Sequence, residues 1–333
     1  MICNSCEATK TNSHVIPSFL IAMVSSWNQS YKRDKEILFH INGIRNRIYT
    51  GQIPDTKYVE LFDLEKLTQE RIESELKDNP VVEDFIFCPE CETNLAKFLE
   101  SPYAENLMRN KKTTNDIAAF FWLSVIWRMS ISGEYGFCLP KHIEHELGAL
   151  LNRYIQKKKQ KESVDQLITE LPFKYKILWC RDYCKQYSGC IYAKYYPLEK
   201  QLFLLLGDGV LCFNFDFSKI GKDVIFMETD TYFKIAPIND GTSTEQIFVI
   251  SNDDLSSIYR SFMKWGSREF IHQVICFLDE VWYQIGLLGY MPLRMKYFII
   301  RQIYNDDTKL GDRFTRHRLA KIIFYAIKYP LSY

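Results

Sequence analysis

Two cysteine pairs share the CxxC spacing: Cys3 and Cys6 in "MICNSC", and Cys88 and Cys91 in "FCPEC". Four thiolates in two such pairs suit a tetrahedral Zn2+ held between two strand-turn knuckles that meet across a long loop. Zinc bound in this way contributes roughly 10–16 kcal/mol in isolated finger peptides, enough to decide whether a small subdomain folds. A closed four-thiolate set leaves no open coordination position, so it staples structure and performs no chemistry itself. A redox pair is the competing use of CxxC, but neither pair sits in a βαβ pattern. The other six cysteines, Cys138, Cys180, Cys184, Cys190, Cys212 and Cys276, show no paired spacing. Cys180, Cys184 and Cys190 stand among Trp179, Tyr183, Tyr187 and Ile191, the setting of buried or half-buried thiols.

The elements that must carry these pairs are legible in outline. Residues 16–30 read as a helix with Pro17 in its first turn, where a missing N–H costs nothing. From Tyr31 to Asp78 the chain turns polar and uneven, with a strand-like "YVELFDL" and a helical "LTQERIESELKD", as an insertion or elaborated loop would. "VVEDFIF" leads as a strand into Cys88, and "CETNLAKFLES" reads as a helix that starts at the second pair. "TTNDIAAFFWLSVIWRMSIS" is apolar nearly all round, the pattern of a buried central helix with Thr114 or Asn115 as N-cap. "LPKHIEHELGALLNRYIQKKKQKE" is amphipathic and ends in lysines. Short aromatic and β-branched runs between Phe173 and Ser251 predict an antiparallel sheet, with the "GDG" at Gly207 to Gly209 as a hairpin turn. Helices near 252–289, 292–304 and 311–329 close the chain.

Between the two cysteine pairs stands "SHVIP", with His14, and "CPECE" follows with Glu92. This succession resembles the ββα-metal nucleases of the HNH (His-Me finger) superfamily. More closely it resembles bacterial HNH-like proteins that carry "SHIIP", a later "LCxxCE" and a downstream apolar helix with "SIxWR", here "SVIWR" from Ser124 to Arg128. The likeness covers residues 1–24 and 85–130. It implies that His14 is the general base on the attacking water, a task that suits an imidazole at neutral pH. It also implies that Glu92 ligates a catalytic Mg2+ or Mn2+ at the start of a helix, where the family usually has His or Asn. Ser13 occupies the position of a second ligand, usually Asp or His, and a hydroxyl is the weaker donor. Asn94 would help hold the ion or its waters, and Glu83 or Asp84 would replace the missing acid if the strand brought them near. The bland alternatives are a structural histidine and an ordinary first-turn acid favoured by the helix dipole.

Arg128 within an apolar helix needs a carboxylate or phosphate, and an ion pair joining two domains is the expected use. His142, His145 and Glu146 share a helical face but lack a metalloprotease spacing, and read as a solvated polar face. The formal net charge of +1 excludes a global basic footprint for nucleic acid, so DNA contacts would be local. The candidates are Lys157, Lys158 and Lys159 in "KKKQK", and Arg313, Arg316 and Arg318 in "RFTRHR". With 47% hydrophobic and 25% charged residues, no apolar run of ~18 residues and no signal-like start, a cytoplasmic protein without membrane contact is expected.

The expected fold class is α+β. Residues 1–110 form a zinc-stapled HNH-like domain with an insertion at about 30–82, and residues 111–333 form a helical and antiparallel-sheet domain for substrate or partner recognition. The expected function is metal-dependent hydrolysis of DNA phosphodiesters, with a role in bacterial defence implied by the resemblance alone. The alternative is a catalytically inactive, zinc-stabilised binding or sensor module for nucleic acid, nucleotide, a protein partner or another copy of the chain.

Overall fold

The computed structural model describes residues 7–10, 13–25, 36–41, 44–51, 82–83, 86–133, 135, 138–187, 189–215, 226–304 and 316–329. In chain order these form β1 (Ser13–His14), α1 (Ser18–Ser25), β2 (Glu36–Ile41), β3 (Ile44–Gly51), β4 (Val82–Glu83), α2 (Pro89–Leu95), a π-helical turn (Ala96–Glu100) and α3 (Ser101–Met108). There follow α4 (Asn115–Ser132), α5 (Lys141–Gln160), α6 (Asp165–Ile168), β5 (Lys174–Trp179), α7 (Tyr183–Gln186), β6 (Cys190–Tyr196), β7 (Gln201–Leu206) and β8 (Gly209–Asn214). The last are α8 (Asp230–Ile235), β9 (Phe248–Val249), α9 (Asn252–Gln284), α10 (Leu293–Tyr304) and α11 (Arg316–Lys328).

The class is α+β. Seven strands form one sheet in the order β2-β3-β6-β7-β8-β5-β9, and β1 and β4 form a separate pair. Every residue of β7 and β8 is buried, because helices cover both faces of the sheet. Alternation sends Leu202, Leu204, Leu211 and Phe213 into one core with α1 to α5, and Phe203, Leu205, Val210 and Cys212 into another with Phe233, Leu255, Ile258 and Phe262. This two-sided cover explains the unbroken apolar run in the sequence. Gly207 turns the β7–β8 hairpin with φ +60, a backbone that its lack of a side chain permits.

Three differences from expectation have physical reasons. The sheet is not purely antiparallel, since β9 pairs with β5 in parallel. Parallel strands need a long crossover, and the chain makes one through β6, β7, β8 and α8. The stretch 30–82 does more than interrupt a finger: its hairpin β2–β3 continues the large sheet, with Tyr49 and Thr50 paired to Ile191 and Cys190. The strand at "YVELFDL" and the helix at "LTQERIESELKD" lie outside the described residues. Finally, Met227 and Glu228 of "DVIFME" form a turn with positive φ, where a strand was expected.

α4 is the buried axis foreseen from its composition, with residues from Ala118 to Ser130 inaccessible. Its core contains Val15, Phe87, Leu95 and Tyr103 from one side of residue 110 together with Tyr154, Ile177 and Leu204 from the other. Of the unpaired cysteines, Cys180, Cys184, Cys190 and Cys212 are buried, whereas Cys138 and Cys276 are exposed. α9 has 33 residues, about 50 Å of helix. Its second half leaves the sheet and builds a third small core with α10 and α11, from Val274, Leu278, Met295, Ile299, Ile323 and Ala326. Among the described residues no helix is long and apolar enough to cross a membrane.

Candidate functional site

The second cysteine pair is a turn and a helix start at once. Cys88 is the N-cap of α2 in extended conformation, Pro89 supplies the first helical φ, and the Cys88 Sγ accepts the Cys91 N–H at 3.4 Å. Both cysteines are buried. The chain just after the first pair reaches this turn, because the Lys10 N–H donates to the Phe87 carbonyl at 3.0 Å. Cys3 and Cys6 themselves lie outside the described residues. Among the described residues no three His, Cys, Asp or Glu side chains come together as a metal-ligand set.

Three residues beyond Lys10, β1 begins and pairs antiparallel with β4, with Ser13 opposite Glu83 and His14 opposite Val82. Asp84 is outside the described residues. Ser13 is fully buried, and its Oγ has no hydrogen-bond partner among the described residues. His14 is half-buried, and its carbonyl accepts from Arg128 Nη1 at 3.1 Å.

Arg128 is the hub. It is 2% exposed, and Nη1 also donates to Glu100 Oε1 at 2.7 Å. Its Nε donates to the Ser124 carbonyl at 3.2 Å and Nη2 to Ser124 Oγ at 3.1 Å. The spacing of "SVIWR" is thereby explained. Ser124 and Arg128 are one helical turn apart on the face that meets β1 and the π-helical turn, and Trp127 donates to the Glu144 carbonyl at 2.9 Å. The expected ion pair exists, with Glu100 as its carboxylate. The π-helical turn delivers that carboxylate. One α turn and one wider i→i+5 turn take up about eight residues together, which puts Glu100 two turns below Glu92 on one face.

Glu92 therefore sits in a charged group. Lys10 Nζ is 3.8 Å from its Oε2, and its side chain keeps 27% of its surface exposed. Burial, then the Glu100 carboxylate, push the Glu92 carboxyl above the usual range, while Lys10 and Arg128 pull it down. Asn94 is half-buried on α2, and the nearby Glu90 carboxyl is held low chiefly by Lys159.

The basic candidates divide. Lys157 faces Glu162 at 3.3 Å, Lys158 faces Asp116 at 2.6 Å and Lys159 faces Glu90 at 2.5 Å, so these three lysines each meet a carboxylate. Arg313 lies outside the described residues, Arg316 begins α11, and Arg318 is half-buried. His142, His145 and Glu146 are exposed, as a solvated face should be.

Sequence reasoning missed Lys10 and Glu100, whose roles depend on contacts far along the chain, and it missed Glu245. That carboxylate is buried with no cation against it among the described residues, accepting from Trp122 Nε1 at 2.9 Å, Tyr175 OH at 3.0 Å and Tyr103 OH at 3.0 Å. Burial pushes it up to about 7 against the pull of those three donors. Nothing in "GTSTEQIF" signals a buried acid.

No family model, curated protein or solved structure matches this chain.

Proposed function

We propose that residues 1–110 contain an HNH-type ββα-metal finger and that the protein hydrolyses DNA phosphodiesters with a divalent cation. The observation that carries this reading is the strand pair β1–β4 with His14 on it, leading directly into a helix whose cap is Cys88. Strand, strand and helix thus follow in the order that the resemblance implies.

The donor chemistry supports a structural zinc. Cys88 and Cys91 are buried one helical turn apart, with the Cys91 N–H directed at Cys88 Sγ, and paired cysteines at this spacing suit zinc. Cys3 and Cys6 would complete the set. In this reading His14 takes the proton from water, held in place through its carbonyl by Arg128. Glu92 is the carboxylate for Mg2+ or Mn2+, which when bound stabilises negative charge on the phosphate. Ser13 lies fully buried beside His14, and Asn94 stands two residues beyond Glu92 on α2.

Incubation of plasmid DNA with the protein and Mg2+ or Mn2+ should give cleavage that His14→Ala and Glu92→Gln each reduce by about 100-fold or more. Equal nicking by all three proteins would sink the mechanism. Metal analysis should find zinc in the wild type and lose it in Cys88→Ser/Cys91→Ser.

The complete burial of Ser13 favours a second reading, a binding module without catalysis, because no acid stands at that ligand position. The same preparations would then bind DNA and leave it intact.

A further inference from the structure

α10 and α11 contain no Asp or Glu, although the chain carries 41 acidic residues against 42 basic ones. Each helix also presents a solvent stripe in which cations alternate with aromatic rings. On α10 the exposed residues include Arg294, Tyr297 and Arg301, spaced by three and four, with Tyr290 just before the helix. On α11 they include Lys321, Phe324 and Lys328, again spaced by three and four. Tyr290 is 83% exposed, Tyr297 61% and Phe324 66%. Isolated exposed rings are ordinary, but rings at helical spacing between unopposed cations are not. The aspartates of the linking residues, Asp306, Asp307 and Asp312, lie outside the described residues.

We propose that this helical pair binds single-stranded DNA. Charge complementarity selects a polyanion, since neither helix offers a carboxylate to repel phosphate or to meet a basic partner. The rings select unpaired bases. A duplex hides its base faces and needs only the cations, whereas each unstacked base gains a face on which to lie. The choice of DNA over RNA rests on the nuclease reading above; the surface chemistry stands apart from it.

The test is fluorescence anisotropy of the full-length protein with labelled oligo(dT), a mixed-sequence duplex and oligo(U), without added Mg2+ or Mn2+ so that cleavage does not intervene. Oligo(dT) should bind at least tenfold tighter than the duplex. Tyr297→Ala/Phe324→Ala should weaken oligo(dT) about tenfold or more and leave the weak duplex binding unchanged. Arg294→Ala/Arg301→Ala/Lys321→Ala should weaken both and flatten the salt dependence. Duplex binding as tight as oligo(dT), indifference to ring removal, or tighter binding of oligo(U) would each overturn the proposal. So would sedimentation showing a dimer that the ring substitutions dissolve, since the stripes would then be covered by a second copy. Loss of plasmid cleavage with oligo(dT) binding intact would count against the nuclease alone.

Discussion

Two buried charges, Arg128 and Glu245, solve the same problem in opposite ways. Arg128 cannot shed its proton, so the fold surrounds it with a carboxylate and the oxygens of His14 and Ser124. Glu245 can take up a proton, and the fold gives it only neutral donors from Trp122, Tyr103 and Tyr175. The first arrangement ties β1 and the π-helical turn to the central helix. The second ties α3, α4 and β5 together most firmly in acid. A permanent charge thus fastens the candidate site, while a titratable one sits beneath the sheet.

The comparison breaks most directly at Arg128. Arg128→Met leaves Glu100 and the His14 carbonyl without their cation, and should cost about 3 kcal/mol in denaturant unfolding. Arg128→Lys should recover only part, since a point charge cannot serve both sides of Ser124 and Glu100 together.

Glu245 sharpens it through pH. Its carboxyl is raised from 4.5 to about 7, so between those values the folded chain holds a proton that the unfolded chain has released. Stability from this group is full below pH about 4.5 and falls as pH rises through about 7, by roughly 3 kcal/mol in all. Glu245→Gln, whose amide can satisfy the same three partners, should flatten that slope in unfolding measured from pH 5 to 8. An unchanged slope would show that the acid is not the source.

The smallest effect belongs to the lysine run. Its pairs with Glu162, Asp116 and Glu90 are partly exposed, and water and salt screen surface pairs of this kind. Lys157→Ala/Lys158→Ala/Lys159→Ala should lower the melting temperature by a few degrees and leave oligo(dT) affinity within about twofold. A larger loss of affinity would return the DNA contacts to α5.

Legibility followed range. The buried α4, the lysine-ended α5, the GDG hairpin and the closing helices were written in local periodicity, and they stand where the pattern put them. The helix at the second cysteine pair was also legible, because Cys-Pro-Glu-Cys contains its own cap and first turn. The π-helical turn within that helix was not, since nothing in "AKFLE" marks a switch to i→i+5 bonding and the turn ends at Glu100, which meets the distant Arg128. The hairpin β2–β3 was invisible as part of the large sheet, because strand pairing across more than a hundred residues leaves no periodic trace.

The sequence by itself determined the helices from α4 onward that its periodicity marked, that α4 is buried, and that Arg128 must find an anion, since propensity, periodicity and the cost of an unpaired charge are properties of the residues alone. Only the tertiary structure decided that the anion is Glu100, that the His14 carbonyl shares the same guanidinium, and that Lys157, Lys158 and Lys159 pair with Glu162, Asp116 and Glu90. Those outcomes depend on which distant groups packing brings within a few ångströms, and side-chain chemistry acts only at that distance.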